Sequence, residues 1–397
     1  MVTNDGVISI EGSNSEGIII YNPISGISAG LKNNAPIVSD WDKENVVLIS
    51  LTGNGTEELN SAYLYNNADL TALGDNSVAI YSESGANIYN AGNITVNNGT
   101  GILLKNASLY EGNNMGTITV IGSGTGIMAD TPNSTLINSG AINLDGNGTG
   151  IYISSGNTGA NKNNITFNGT GGTGVYVSGY NTSFMNSGII FSNTERNTGL
   201  KVSEGGSLEN MGDMYFFGDN SVGIEVSNGG RLNTNGGNIT LSNGIGIKVS
   251  DSFSENRNDG TINVIGMSGT GIESFNSRVI NAGAIYNEGF ESKGIAAYNS
   301  DIENTGKINS REGTGIFAMG GSRVMNYGTL DIEGAGTGVK SKESIFINME
   351  NGRINSEYGS GMEAYHSNIE NRGVISSING TGITAFSSDI TNMGEIN

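Results

Sequence analysis

The motif Asn-x-Gly-x-Ile returns along this chain at a nearly constant interval, and that periodicity constrains the fold more than any other feature. Copies begin at Asn66, Asn90, Asn114, Asn138, Asn161, Asn186, Asn210, Asn235, Asn258, Asn281, Asn304, Asn326, Glu350, Asn371 and Asn392. The fourteen steps from Asn66 to Asn392 average about 23 residues. A second landmark, Gly followed by an aliphatic residue, falls about midway through most units, as at Gly101-Ile102, Gly150-Ile151, Gly199-Leu200, Gly294-Ile295 and Gly382-Ile383. A unit this short cannot bury a hydrophobic face alone, so its copies must stack.

Within each unit the apolar residues alternate, as in Ile94-Thr95-Val96 after the first landmark and Val175-Tyr176-Val177 after the second. That is the period of a strand, not of a helix. A third alternation, such as Ser300-Asp301-Ile302-Glu303-Asn304, leads into the next Asn. Three short strands per unit predict an all-β chain wound as a right-handed parallel β-helix, each coil pairing in parallel with its neighbours. The Asn stands two residues after an inward aliphatic (Ile302 and Asn304, Val279 and Asn281), which points its amide into a corner of the coil. There it meets its own copies, and a column of amides satisfies the polar groups of the turn. The Gly that follows is expected to supply a corner with φ > 0.

Gly makes up 64 of 397 residues without a three-residue period, and Pro only 3, which excludes collagen. The net charge of −20, from 18 basic and 38 acidic residues, repels phosphate backbones and excludes nucleic acid as a partner. There is no Cys. Residues 66–397 read as a regular β-helix array. Residues 1–65 read as irregular coils with a loop excursion or cap: between Gly17-Ile18 and Asn66 the period breaks down, and this window holds Trp41, Pro23 and Pro36. Copies of the motif at Asn4-Asp5-Gly6-Val7-Ile8 and at Asn392 make both ends look cut from something longer.

Catalysis on a β-helix needs clustered carboxylates on one face. Here Lys201, Glu225, Lys248, Glu273, Lys340 and Glu363 share one outward slot with mixed signs, as on a solvated face. His366 has no carboxylate pattern beside it. No catalytic residue, metal site or cofactor is therefore expected, and the chain reads as a non-enzyme. Two places could serve a partner. One is the irregular stretch around Trp41. The other is a column of large residues at Phe275, Tyr298, Met319, Tyr365 and Phe386, one step beyond an inner pair that changes from large–large (Ile151/Ile153) to large–small (Ile295/Ala297). Packing at a corner would explain that column; a stacking platform formed by Tyr298, Tyr365 and Phe386 is the functional alternative.

The alternating blocks, such as Asn138-Ser139-Gly140-Ala141-Ile142 with Gly148-Thr149-Gly150-Ile151, resemble the passenger repeats of the large fusobacterial autotransporter (type V secreted) adhesins, the RadD-like outer-membrane group. The resemblance covers nearly the whole chain from Asn66. It implies a monomeric, extracellular passenger segment at the cell surface, a rigid rod presenting binding loops to bacterial or host receptors of protein or glycan nature. Its only tie to the outer membrane would be a C-terminal β-barrel that this stretch does not contain. The competing expectation is a polysaccharide-binding or -degrading β-helix of the pectinase or tailspike type.

Overall fold

The structure is a computed structural model that describes residues 1–22, 24, 28–53, 62–109 and 113–397. The described residues form strands and turns without a helix. The chain is a parallel β-solenoid with three sheets, three strands per turn and about 24 residues per turn. It divides into two compact units, the first comprising residues 1–201 and 205–208, the second 202–204 and 209–397.

In the first unit, strands that follow the Asn-x-Gly motif build the first sheet, as Ile94–Asn97 pairs with Ile118–Ile121 and that with Ile142–Leu144. Strands opening on a Thr-Gly pair build the second sheet: Thr100–Lys105, Thr125–Ala129, Thr149–Ile153 and Thr173–Ser178. Strands ending on the Asn build the third: Thr135–Asn138, Thr158–Asn161 and Ser183–Asn186. The second unit repeats the plan, with Lys293–Tyr298 on Thr314–Met319 in the second sheet and Arg278–Asn281 on Asp301–Asn304 in the third. β-branched residues suit these pleats, and most inward Ile and Val residues meet an apolar residue of the next coil, as Ile127 meets Ile151, while a few meet Ser, as Val249 meets Ser274. Those inner columns are completely buried, Ile127, Ile151, Ile272 and Ile316 among them.

The predicted amide column is present. In the first unit the Nδ2 of each Asn donates to the Oδ1 of the next coil's Asn from Asn4 through Asn33, Asn66, Asn90, Asn114, Asn138 and Asn161 to Asn186, over 2.6–3.0 Å. In the second unit the same relay runs from Asn210 to Asn392 at 2.8–2.9 Å. The second proton of the amide goes to the carbonyl oxygen two residues on, as from Asn138 to Gly140 at 2.7 Å. One motif position needs correction: the ladder residue is Asn348, which donates to Asn371 at 2.9 Å, and not Glu350. Two extra residues lie between this Asn and its glycine, so Asn348 reaches Gly352 four residues on instead of two.

The glycine of the motif is also required for a different reason. None of these glycines has φ > 0. They are needed because coils approach closely here: a Cβ on Gly283 would lie 1.9 Å from the carbonyl oxygen of Gly260, and one on Gly306 would lie 2.0 Å from that of Gly283. Among the described residues, left-handed corners fall elsewhere, most often on Asn (Asn98, Asn220, Asn276, Asn299) and on other glycines such as Gly122 and Gly205, but also on Glu204, Glu343 and His366.

Coils are also found before Asn66. Ile8–Ile10, Ile37–Ser39 and Leu70–Ala72 pair in register in the first sheet, and Glu16–Tyr21, Val47–Thr52 and Val78–Glu83 in the second. The ladder spacing stretches to 29 and then 33 residues while the described strands keep their stacking. Pro23 lies outside the described residues, and Pro36 immediately precedes the strand Ile37–Ser39, where its carbonyl accepts from Ile8 at 3.1 Å.

Candidate functional site

Stacking uses the coil interior, so the side chains free for chemistry are on the outer rows and in the turns. Trp41 sits in the turn between Ile37–Ser39 and Val47–Thr52 of the first unit, 57 % exposed. Its neighbours are acidic, Asp40, Asp42 and Glu44, with Lys43 bound to Asp42 at 2.7 Å. That ion pair draws Asp42 below the usual carboxylate range, the hydrogen bond from Lys43 being the main cause.

Tyr298, Tyr365 and Phe386 belong to the second unit and occupy one row, Phe275, Tyr298, Met319, Lys342, Tyr365 and Phe386, in register from coil to coil. Alternation with the buried Ala297 and Ala364 places this row on the outward side of the second sheet, so the rings do not refill the core beside the small inner residues. They form two stacks. Phe275 and Tyr298 lie 4.6 Å apart at 7°, and Tyr365 and Phe386 lie 4.9 Å apart at 10°, with Met319 and Lys342 in between. Each stack uses one face of each of its two rings on its own partner, and Phe386, in the last strand of the row, is 52 % exposed. Lys340 stands 5.8 Å over the ring of Tyr365. Burial, followed by the nearby Glu273 charge, raises the phenol of Tyr298. His366, next to Tyr365, is an exposed corner residue at φ 50° whose N–H donates to the Phe386 carbonyl at 3.0 Å.

A more extensive surface was not singled out from the sequence. The outward slot after the Gly-aliphatic landmark carries Tyr81, Leu103, Met128, Tyr152 and Tyr176 in successive coils of the first unit, all in register and half-buried. A row of hydroxyls, Thr100, Thr125, Thr149 and Thr173, runs beside it. Tyr152 and Tyr176 meet edge to face at 5.4 Å and 68°. Burial, with a hydrogen bond to Glu83 as the second cause, pushes the phenol of Tyr81 up to about 12. The signal was available in the sequence, because this is the slot that carries Glu225, Lys248 and Glu273 in the second unit; only its charged members stand out in one dimension.

No family model matches this chain, and no curated protein or solved structure matches it either.

One groove gathers charged groups. It has a volume of about 570 Å³ over four coils of the second unit, where Lys248, Glu273, Glu291 and Lys293 join the turn residues Asn220, Asn243 and Ser268. Burial raises the Glu273 carboxyl, and the Lys248 and Lys293 charges only partly oppose it. Among the described residues no group of three or more His, Cys, Asp or Glu side chains is placed to hold a metal ion.

Proposed function

We propose that this chain is a non-enzymatic segment of a surface adhesin, an extracellular passenger that presents outer rows and turns for attachment to bacterial or host cells, through protein or glycan receptors. The observation that carries this reading is the contrast between inside and outside. The inner positions of the second sheet stay apolar or small from coil to coil, while the outward slot beside them runs Tyr81, Leu103, Met128, Tyr152 and Tyr176 in the first unit and mixes charged residues (Glu225, Lys248, Glu273, Lys340, Glu363) with Ala296 and Phe317 in the second. A scaffold that holds its core constant and varies its surface is suited to recognition over an extended face. Attachment to the outer membrane would come from a separate C-terminal β-barrel. The direct test is retention of the purified 397-residue chain on bacterial and host cells. Retention that drops several-fold in the double variant Tyr152→Ser/Tyr176→Ser is the expected result. A chain that binds no cell type and no glycan removes the adhesin reading.

The groove around Glu273 favours a second reading, a polysaccharide-binding or -degrading β-helix, because a carboxyl raised by burial has the character of a general acid. Incubation with bacterial and host glycans separates the two: release of shorter products that Glu273→Gln abolishes would establish the second reading, and no cleavage would eliminate degradation.

A further inference from the structure

Repetition creates a hazard for this chain. Every coil offers the same amide column and nearly the same aliphatic inner column, so a strand that docks one coil too far still finds Asn on Asn and aliphatic on aliphatic. The outer rows are where neighbouring coils differ. In the strand registers of the second unit, charged residues are direct neighbours in six places: Glu225–Lys248, Lys248–Glu273, Glu255–Arg278, Arg278–Asp301, Asp301–Arg323 and Lys340–Glu363. All six are of opposite sign. Of these, Arg278–Glu255 and Lys340–Glu363 each approach to 3.4 Å. Among the described residues of the first unit, Glu83 lies beside Lys105 in register and Lys105 is ion-paired with Asp130.

We infer that these alternating charge rows set the winding register of the solenoid by penalising a skipped coil. Alternation has a period of two coils. Omitting one coil would place Glu225 on Glu273, Glu255 on Asp301 and Arg278 on Arg323, turning favourable neighbours into like-charge neighbours in two sheets at once. Opposite charges facing across strands stabilise and like charges destabilise, so the penalty falls on a one-coil skip, a misfold that the interior does not oppose. The inference concerns assembly of the coils and holds whatever the outer face recognises.

Since the chain has no Cys, paired cysteines can report register. Ile280 neighbours Glu303 in the native register, and Glu303 neighbours Met325. Ile280→Cys with Glu303→Cys therefore cross-links in the native register. Ile280→Cys with Met325→Cys requires a skipped coil, because strands two apart lie about 10 Å from each other, beyond disulfide reach. The full chain is refolded under oxidising conditions in three backgrounds: parent, the exchange Arg278→Asp/Asp301→Arg, and the fully inverted row Glu255→Arg/Arg278→Glu/Asp301→Arg/Arg323→Glu. The exchange keeps the composition but makes the skipped register the attractive one; the inverted row keeps alternation. The expected result is a several-fold rise in the 280–325 cross-link for the exchange alone, falling back in about 1 M salt, where charges are screened. Cross-linking during refolding reads register even if the exchanged chain never completes folding. A parent-like 280–325 yield in the exchanged chain overturns the inference, and so does an equal rise in the inverted row.

Discussion

At the residue scale, the chain depends on two kinds of atom that tolerate no substitute. The amide of Asn281 accepts from Asn258 and donates to Asn304, both at 2.8 Å, and all three residues are fully buried. Asn281→Ala leaves an unmatched donor on one side and an unmatched acceptor on the other. At the usual cost of a stranded buried polar group, the expected loss is about 2–4 kcal/mol. Denaturant unfolding monitored by circular dichroism measures it, and a loss below about 1 kcal/mol would mean that water replaces the missing amide. Absence of a side chain matters as much. Gly283→Ala would drive a Cβ to 1.9 Å from the Gly260 carbonyl, whereas Gly6→Ala meets nothing within 4 Å. The first substitution is expected to cost about 3 kcal/mol by the same unfolding measurement, and the second close to nothing. Equal effects would show that coil spacing adapts freely.

At the scale of strands and rows, the outer face of the second sheet differs between the units although its hydrogen bonding does not. In the first unit, burial holds the proton on Tyr81 up to about 12, against an ordinary phenol value of 10.0. Between those values the folded chain keeps a proton that the unfolded chain has released. Stability from this group is therefore complete below pH 10.0 and lost as the pH rises toward about 12. Thermal unfolding across that interval should fall more steeply for the parent than for Tyr81→Phe. Parallel slopes would place the ring in water and weaken the view that the row from Tyr81 to Tyr176 is packed. The pairing pattern itself could be read before any coordinates, because strand period and landmark spacing leave one way to stack the coils. Which outward slots form continuous rows could not, since Leu103, Met128 and Tyr152 share no residue type and become one surface only when coils are superposed.

At the scale of the whole molecule, acidity sets behaviour in solution. A net charge of −20 keeps copies apart at neutral pH, and protonation of carboxylates removes that repulsion as the pH approaches 4.3. Turbidity should be greatest near pH 4.3 and decline on either side. A flat profile would mean that the exposed apolar side chains, Trp41, Tyr180 and Phe253 among them, govern association instead.

The repeat alone determined that the chain is a parallel β-helix of three strands per coil and that an amide column runs along it, because a stacked coil admits only one lattice of backbone hydrogen bonds and identical letters in that lattice must face each other. Tertiary structure decided what letter spacing does not encode. It placed Asn348 in the ladder ahead of Glu350, since an amide can continue the relay across a lengthened turn and a carboxylate has no proton for it. It carried the ladder back through Asn33 to Asn4 across separations of 33 and 29 residues that hide the period. It assigned the motif glycines to close contact between coils instead of to left-handed corners, a distance that no single coil contains. Lastly it brought Tyr81, Tyr152 and Tyr176 into one row, residues far apart along the chain that stacking places on a common face.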